Sequence, residues 1–503
     1  MDECKTVADI LDQAVARHPR SPALVLTDRT LSYGELDKLV DVATVQLKRI
    51  VPEPGSRIAI VGGNHLSYIV AYWSAQRLGL PTVEVDRNES LETLLGILTA
   101  TDAQFVVTDR EDLKSATRGK PPSESFEEFL SGCEALNDAG RMTEASEAVD
   151  NSGDGSKEAS IVYTSGTTAS AKGVVLSHGN FCFIARAVAE YLELTEEDRC
   201  ALALPLCHTY GKSVLLSAAA AGAAVVVLDG FGRQRSFLTR LSAERCTVLS
   251  VTPYHLNVLA RPGGLSSHDL SSLRAITSSA DRLSPPVIDS LSEILPKARI
   301  FSMYGLTEAT TRVSVLPPGL LHVKKGSCGC PLPGVELRIV TEDGSAVPAG
   351  TSGEILVRGS NVMSGYFDDD DLTKVTVVDG WLKTGDVGHL DGDGFLYIDG
   401  RGKDIIKCAG ERISPREIEE VLMEHPGVGE AAVIGEPDSL MGEVVHAYVT
   451  LRDPSSEPGA NELREHCRVR LSRHKVPYQY TIVESFPRTS TGKIQKDALA
   501  RKE

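Results

Sequence analysis

The chain has 503 residues and a net charge of −17, from 52 Lys and Arg against 69 Asp and Glu. Its length predicts about three domain-sized units. With 42% hydrophobic and 24% charged residues it has the balance of a globular protein with a full core. An acidic chain lacks the clustered cations that DNA, RNA or anionic lipid require, so nucleic-acid binding is excluded as its main role. The ten cysteines are dispersed with no CxxC pair. They predict neither a zinc cage nor a redox motif, but small apolar fillers in a reduced, cytoplasmic protein. The opening MDECKTVADI has no basic-then-apolar leader, which predicts a protein that is not secreted.

In chain order, 25–36 reads as a strand, a turn and the start of an amphipathic helix. Short β-branched runs at 57–61, 81–85 and 104–108 then alternate with helical patterns, which predicts parallel α/β layers. The stretch 123–157 is polar, acidic and rich in Ser, Gly and Asp, and predicts a surface loop with at most one short helix. The longest apolar run, 214–228, is too short to span a bilayer and predicts a buried helix followed by a strand at 224–228. From Val335 onward, short strands separated by Asp343-Gly344 and Asp379-Gly380 predict a small β-rich subdomain. After Gly400 a last unit of about 100 residues holds a helix at 414–424, with Ser414 as N-cap and Pro415 at its first position. Strands at 431–434 and 444–451 and a helix at 460–472 follow.

Five segments carry chemistry. Thr164-Ser165-Gly166-Thr167-Thr168-Ala169-Ser170-Ala171-Lys172 follows a strand and offers hydroxyls, backbone N–H groups and a lysine to phosphate oxygens. It is not the ordinary P-loop, since no G-K-[ST] follows at the right spacing. Met303-Tyr304-Gly305-Leu306-Thr307-Glu308 sets an aromatic, a hydroxyl and a carboxylate together, suited to a base, a phosphate and Mg²⁺. Trp381 to Asp386 presents an Asp at a turn, able to accept from two ribose hydroxyls. Asp399-Gly400-Arg401-Gly402-Lys403-Asp404 marks a loosened boundary, and Thr489-Ser490-Thr491-Gly492-Lys493-Ile494 presents a lysine on a glycine turn. Each alone is an ordinary turn; all five in this order are not chance.

The order of these segments resembles the adenylate-forming superfamily of acyl- and aryl-CoA synthetases, peptide-synthetase adenylation domains and luciferases. The likeness runs from Leu31-Ser32-Tyr33-Gly34-Glu35-Leu36 to Lys493. It implies an α/β fold: a large N-terminal domain, residues 1–402, of layered α/β subdomains plus a small β-rich one, and a small mobile α+β domain, 403–503. It also implies two steps. A carboxylate attacks the α-phosphate of ATP·Mg²⁺ to give an acyl-adenylate, and a thiol of CoA or of a carrier-protein phosphopantetheine then displaces AMP.

By the same resemblance, Thr164, Ser165, Gly166, Thr167, Thr168 and Lys172 cradle the β- and γ-phosphates. Thr307 meets the α-phosphate, Tyr304 and Gly305 lie against adenine, Asp386 and Arg401 bind the ribose, and Glu308 holds Mg²⁺. Lys493 bridges the carboxylate and α-phosphate, supplying positive charge where two anions meet. His208, in Leu204-Pro205-Leu206-Cys207-His208-Thr209-Tyr210-Gly211, stands beside the acid's carboxylate. Ser278, Ser279 and Ala280 form the floor between acid and adenine, where Ser in place of Gly favours a short, aryl or polar acid. Thr209 stands where amino-acid-activating members carry an Asp, and an unpaired buried ammonium is costly, so an acid without an α-amine is expected. Lys212 is expected on a surface face of its helix, as lysines usually are; turned inward, it would suit a second carboxylate. Lys403 is the pivot, and Lys407, Gly410 and Glu411 line the thiol's path.

Two residues depart from the family loop: Ala169 replaces a Gly and Ala171 a Pro, restricting φ at one position and loosening the approach to Lys172 at the other. The main-chain donors remain. Three readings stay open on the sequence: a CoA ligase, an enzyme loading a carrier protein, and an inactive adenylate-binding scaffold.

Overall fold

The computed structural model describes residues 4–138, 154–164, 172–260, 264–279, 283, 285–408, 411–438, 440–453, 458–488 and 494–499. Their strands form four sheets. The seven-stranded sheet runs in the order Gly365–Tyr366, Lys172–Ser177, Glu158–Thr164, Thr82–Val85, Arg57–Val61, Ala103–Thr108, Ser123–Ser125. Strand Thr82–Val85 lies at its centre, parallel to both neighbours and buried throughout, as the β-branched runs predicted.

The nine-stranded sheet carries Arg299–Tyr304 next to Ala275–Ser278, and both run parallel toward the same end. Helices His178–Tyr191 and Thr209–Ala221 fill the space between the two large sheets, and one apolar cluster draws on both. The helix-then-strand reading of 214–228 holds, with Ala224–Val227 as the strand.

A five-stranded sheet holds Trp381–Leu390 between Gly353–Gly359 and Leu396–Arg401. Its hairpin turn at Asp379-Gly380 has φ of +51° and +76°, the mirror-type turn that the Asp-Gly pair favours. The last sheet, with Gly442–Leu451 against Val428–Asp438, packs helices Pro415–Met423 and Ala460–Arg470 over a core of its own. The architecture is therefore a large N-terminal α/β body followed by a small α+β one.

Two readings are corrected. Residues 123–138 are no loop: they contribute an edge strand and the 13-residue helix Phe126–Asp138, whose Phe126, Phe129 and Cys133 are buried, while 139–153 lie outside the described residues. The apolar residues recur at helical spacing within an acidic background, and composition concealed the period. Nor are all ten cysteines thiols, because Cys4 and Cys182 are joined by a disulfide.

Two histidines tie stability to pH. His178 and His255 are buried, and each ring accepts a backbone N–H at Nδ1, from Val7 and Thr252. Burial pushes both down from 6.5 to about 4. Between these values the unfolded chain binds protons that the folded one refuses, so stability is full above pH 6.5 and falls as pH drops toward 4. Each ring contributes on the order of 2–3 kcal/mol. The thermal midpoint is expected to drop between pH 7 and 5, and His178→Gln with His255→Gln should flatten that dependence; an unchanged slope would exclude these rings as its source.

Candidate active site

Three sheets converge on the segment Tyr304–Glu308. Tyr304 ends its strand buried, and is followed by Gly305 and the 3-10 turn Thr307–Ala309. Gly305 has no room for a side chain, since a Cβ there would lie 1.8 Å from the carbonyl oxygen of Thr311. The Tyr304 hydroxyl donates to Asp386 Oδ2 at 2.6 Å, and Arg401 Nε lies 2.8 Å from Asp386 Oδ1. Asp386 lies within a strand rather than at a turn, with Gly385 before it at φ +70°. Its backbone N–H donates to Thr384 Oγ1 at 3.1 Å. Burial and the Asp386 charge push the Tyr304 phenol well up, so it remains a neutral donor.

On the other side of the cleft Thr164 ends its strand opposite Lys172. The Lys172 ammonium lies 5.4 Å from the centre of the Tyr366 ring, and the Tyr366 hydroxyl donates to Glu308 Oε1 at 3.1 Å. Cation, ring and carboxylate thus form a chain from the strand Lys172–Ser177 to the Thr307–Ala309 turn. The half-buried Glu308 carboxylate is a hard oxygen donor of the kind Mg²⁺ takes. Tyr366 drew no attention in the sequence, although its place next to Gly365 in a short strand is a weak signal.

A second cluster of candidates is built by the end of the central strand and a helix start. His208 is the N-cap of Thr209–Ala221, and its Nε2 lies 3.1 Å from Asp86 Oδ2. Asp86 is buried, and its Oδ1 accepts from Asn88 N and Nδ2 at 2.9 and 2.8 Å. Thr209 is buried and uncharged, as are Ser278 and Ser279; Ser278 Oγ has no hydrogen-bond partner among the described residues. Cys207 stands in the same cluster as Asp86 and His208. Burial and the Asp86 and Glu84 charges push its thiol well up, which makes it a poor metal donor.

Lys212 overturns its reading as a surface residue. Its exposure is 0%, its ammonium pairs with the equally buried Glu84, and the rings of Tyr72 and Phe181 lie 4.2 and 5.6 Å away. Glu84 also accepts from Tyr68 Oη at 2.7 Å, Thr82 Oγ1 at 2.8 Å and Ser160 Oγ at 2.9 Å. Glu84 in the strand and Asp86 just after it therefore meet Lys212 in the helix and His208 at its N-cap, one turn away.

The chain matches the model of the AMP-binding enzyme over residues 11–367 and that of its C-terminal domain over 417–493. It belongs to the AMP-binding enzyme family. A 2-succinylbenzoate–CoA ligase of Bacillus subtilis is 32% identical over 481 residues, 96% of this chain and 95% of the relative. The solved o-succinylbenzoate CoA synthetase MenE of Bacillus subtilis, with ATP and magnesium, superposes with a TM-score of 0.84 at 30% identity, over 97% of this chain and 98% of that one. The anthranilate CoA ligase AuaEII with anthranoyl-AMP gives 0.89 at 26%, over 98% and 96%. The chain is an AMP-forming acid–CoA ligase: ATP with magnesium activates a carboxylic acid as its acyl-adenylate, and CoA takes the acyl group.

In this AMP-binding enzyme the other described candidates lie in the small C-terminal unit. Lys403 sits in the 3-10 turn Gly402–Asp404, its Nζ 3.8 Å from Asp497 Oδ2. Lys407 and Glu411 are exposed on the facing strands Ile406–Cys408 and Glu411–Ile413. Ser165, Gly166, Thr167, Thr168, Ala169, Ala171, Ala280, Gly410 and Lys493 lie outside the described residues. No helix among the described residues is long and apolar enough to cross a membrane.

Proposed function

We propose that the acid is short, aryl or polar, and has no α-amine, and that its carboxylate is received at His208. The observation that carries this reading is the uncharged, buried Thr209 beside an Asp86 already committed to His208 and Asn88. An α-ammonium group would enter without a free counter-ion. The acids named for two relatives, 2-succinylbenzoate and anthranilate, are ring-bearing acids of this kind.

Residues Thr164 to Lys172 cradle the β- and γ-phosphates, Thr307 meets the α-phosphate, Tyr304, Gly305 and Ala280 border adenine, and Asp386 with Arg401 takes the ribose hydroxyls. Glu308 suits Mg²⁺, which when bound draws charge from the phosphates. Lys493 neutralises the charge that builds as the carboxylate attacks. CoA is the acceptor, and its pantetheine arm passes Lys407, Gly410 and Glu411 after residues 403–503 turn about Lys403.

The test is pyrophosphate release and CoA-thioester formation across a panel of acids, each paired with its α-amino analogue. The acid without the amine is expected to lead by at least about tenfold in kcat/KM, the scale of an unpaired buried charge. A preferred α-amino acid would overturn the acid class, and thioester formed only on a carrier protein would overturn the acceptor.

A further inference from the structure

Two basic side chains stand among the largest fully buried ones, Lys212 and Arg312. Lys212 has Glu84 as its counter-ion. Arg312, 1% exposed, has no carboxylate within ion-pair distance among the described residues. Its guanidinium is held by neutral groups only. Nε donates to Tyr191 Oη at 3.2 Å, and Nη1 to Thr311 O at 3.3 Å and Oγ1 at 3.2 Å. The plane of charge lies over the Tyr210 ring, 4.1 Å from its centre. Nη2 has no hydrogen-bond partner among the described residues, although a guanidinium presents five N–H donors.

A buried cation without an anion is strongly unfavourable, and removing the partner of a buried pair typically has a large effect for that reason. A fold keeps such a group where the missing anion arrives with a ligand. Arg312 is placed for one. Tyr210, on which it rests, lies two residues after His208 at the same helix start, and its hydroxyl is hydrogen-bonded to Thr277, immediately before Ser278 and Ser279. On the other side the main chain at Thr311 and Arg312 packs against Gly305 of the adenylate segment. The guanidinium therefore stands between the carboxylate end of the acid pocket and the nucleotide motif. Its contacts are to helices His178–Tyr191 and Thr209–Ala221, whereas Lys172 reaches Glu308 through Tyr366 from the opposite strand hairpin.

We propose that Arg312 is a specificity-determining residue that binds a second carboxylate of the acid, so that the preferred substrate is a dicarboxylic acid activated at the end nearer His208. The proposal rests on the ligase reading and refines it. Lys212, expected at the surface, would have suited a second carboxylate if turned inward, but Glu84 already pairs with it, and the unmet cation is Arg312. A planar guanidinium also suits a carboxylate better than a lysine does, because it can donate two parallel N–H bonds.

The experiment compares matched acids in pyrophosphate release and CoA-thioester formation: a monocarboxylate, the dicarboxylate of the same skeleton, and the half-ester that masks the distal carboxylate. In the wild-type enzyme the dicarboxylate is expected to exceed both others at least about tenfold in kcat/KM, chiefly through KM. Arg312→Gln should erase that preference while leaving the monocarboxylate within about threefold, and Arg312→Lys should retain part of it. A dicarboxylate preference that survives in Arg312→Gln, or is absent from the wild type, overturns the proposal. If Arg312→Gln fails to fold, the wild-type comparison of diacid with half-ester still decides. Turnover of the monocarboxylate alone would leave the ligase reading intact while refuting the role of Arg312.

Discussion

Lys212→Ala is expected to lower the thermal midpoint of the enzyme by roughly 5–10 °C, the shift that corresponds to about 3–5 kcal/mol in a large domain. The reason is Glu84. Once the ammonium is gone, a carboxylate with 0% exposure keeps three hydroxyl donors but no positive charge. It must then stay ionised in an apolar setting or take up a proton. Burial already pushes Lys212 down, and the Glu84 charge opposes that push, so the two form one unit. Glu84→Gln with Lys212→Met removes both charges, keeps volume, and should recover most of the loss. A double variant as unstable as Lys212→Ala would show that packing, not charge, is responsible. The effect should reach the site too. The Lys212 N–H closes the first helical turn on the His208 carbonyl at 3.0 Å, so a loosened helix start should raise KM for the acid more than for ATP.

The pair also shows what was legible in the sequence. The strand Thr82–Val85 was readable from its valines, but Glu84 within it carried a second message. An acid inside a strand buried on both faces needs a buried cation. Lys212, in a helix otherwise rich in Val, Leu and Ala, was the matching half. The general exposure of lysines outweighed that context, and the pairing across 128 positions could not be seen in either segment alone. Asp86 was missed for the same reason: its meaning depends on His208, which a different sheet delivers. By contrast, Tyr304, Asp386, Arg401 and Glu308 could be singled out because each sits in a short segment whose residue types imply chemistry, and the fold brings these segments together. Arg312 lies four residues past Glu308, and no pattern in the sequence singled it out. Only the folded structure shows that it is buried without a carboxylate partner among the described residues.

Two variants are expected to split the two half-reactions in opposite directions. Lys493→Ala should abolish adenylate formation, read as acid-dependent pyrophosphate release, while sparing thioester formation from a synthetic acyl-adenylate, because its charge is needed only where carboxylate and α-phosphate meet. Lys403→Pro should do the reverse. The link from the third sheet to the last runs through Leu396–Arg401 and then the turn Gly402–Asp404, so any rotation of residues 403–503 turns on the backbone there. On the proposed roles, the two steps use different groups over one α-phosphate, Lys493 first and the Lys407 to Glu411 segment second. One cleft would not hold both, so the small unit is expected to move between them. Proline fixes φ near −65°, close to what a 3-10 turn needs, so residue 403 should keep the turn and lose the freedom that a rotation would use. Pyrophosphate release should stay within about threefold of wild type, while CoA-thioester formation falls by about a hundredfold or more, the scale on which a misplaced catalytic group acts. Thioester formation at the wild-type rate in Lys403→Pro would move the pivot and the domain boundary elsewhere. Equal loss of both half-reactions in Lys493→Ala would remove that lysine from the adenylation step.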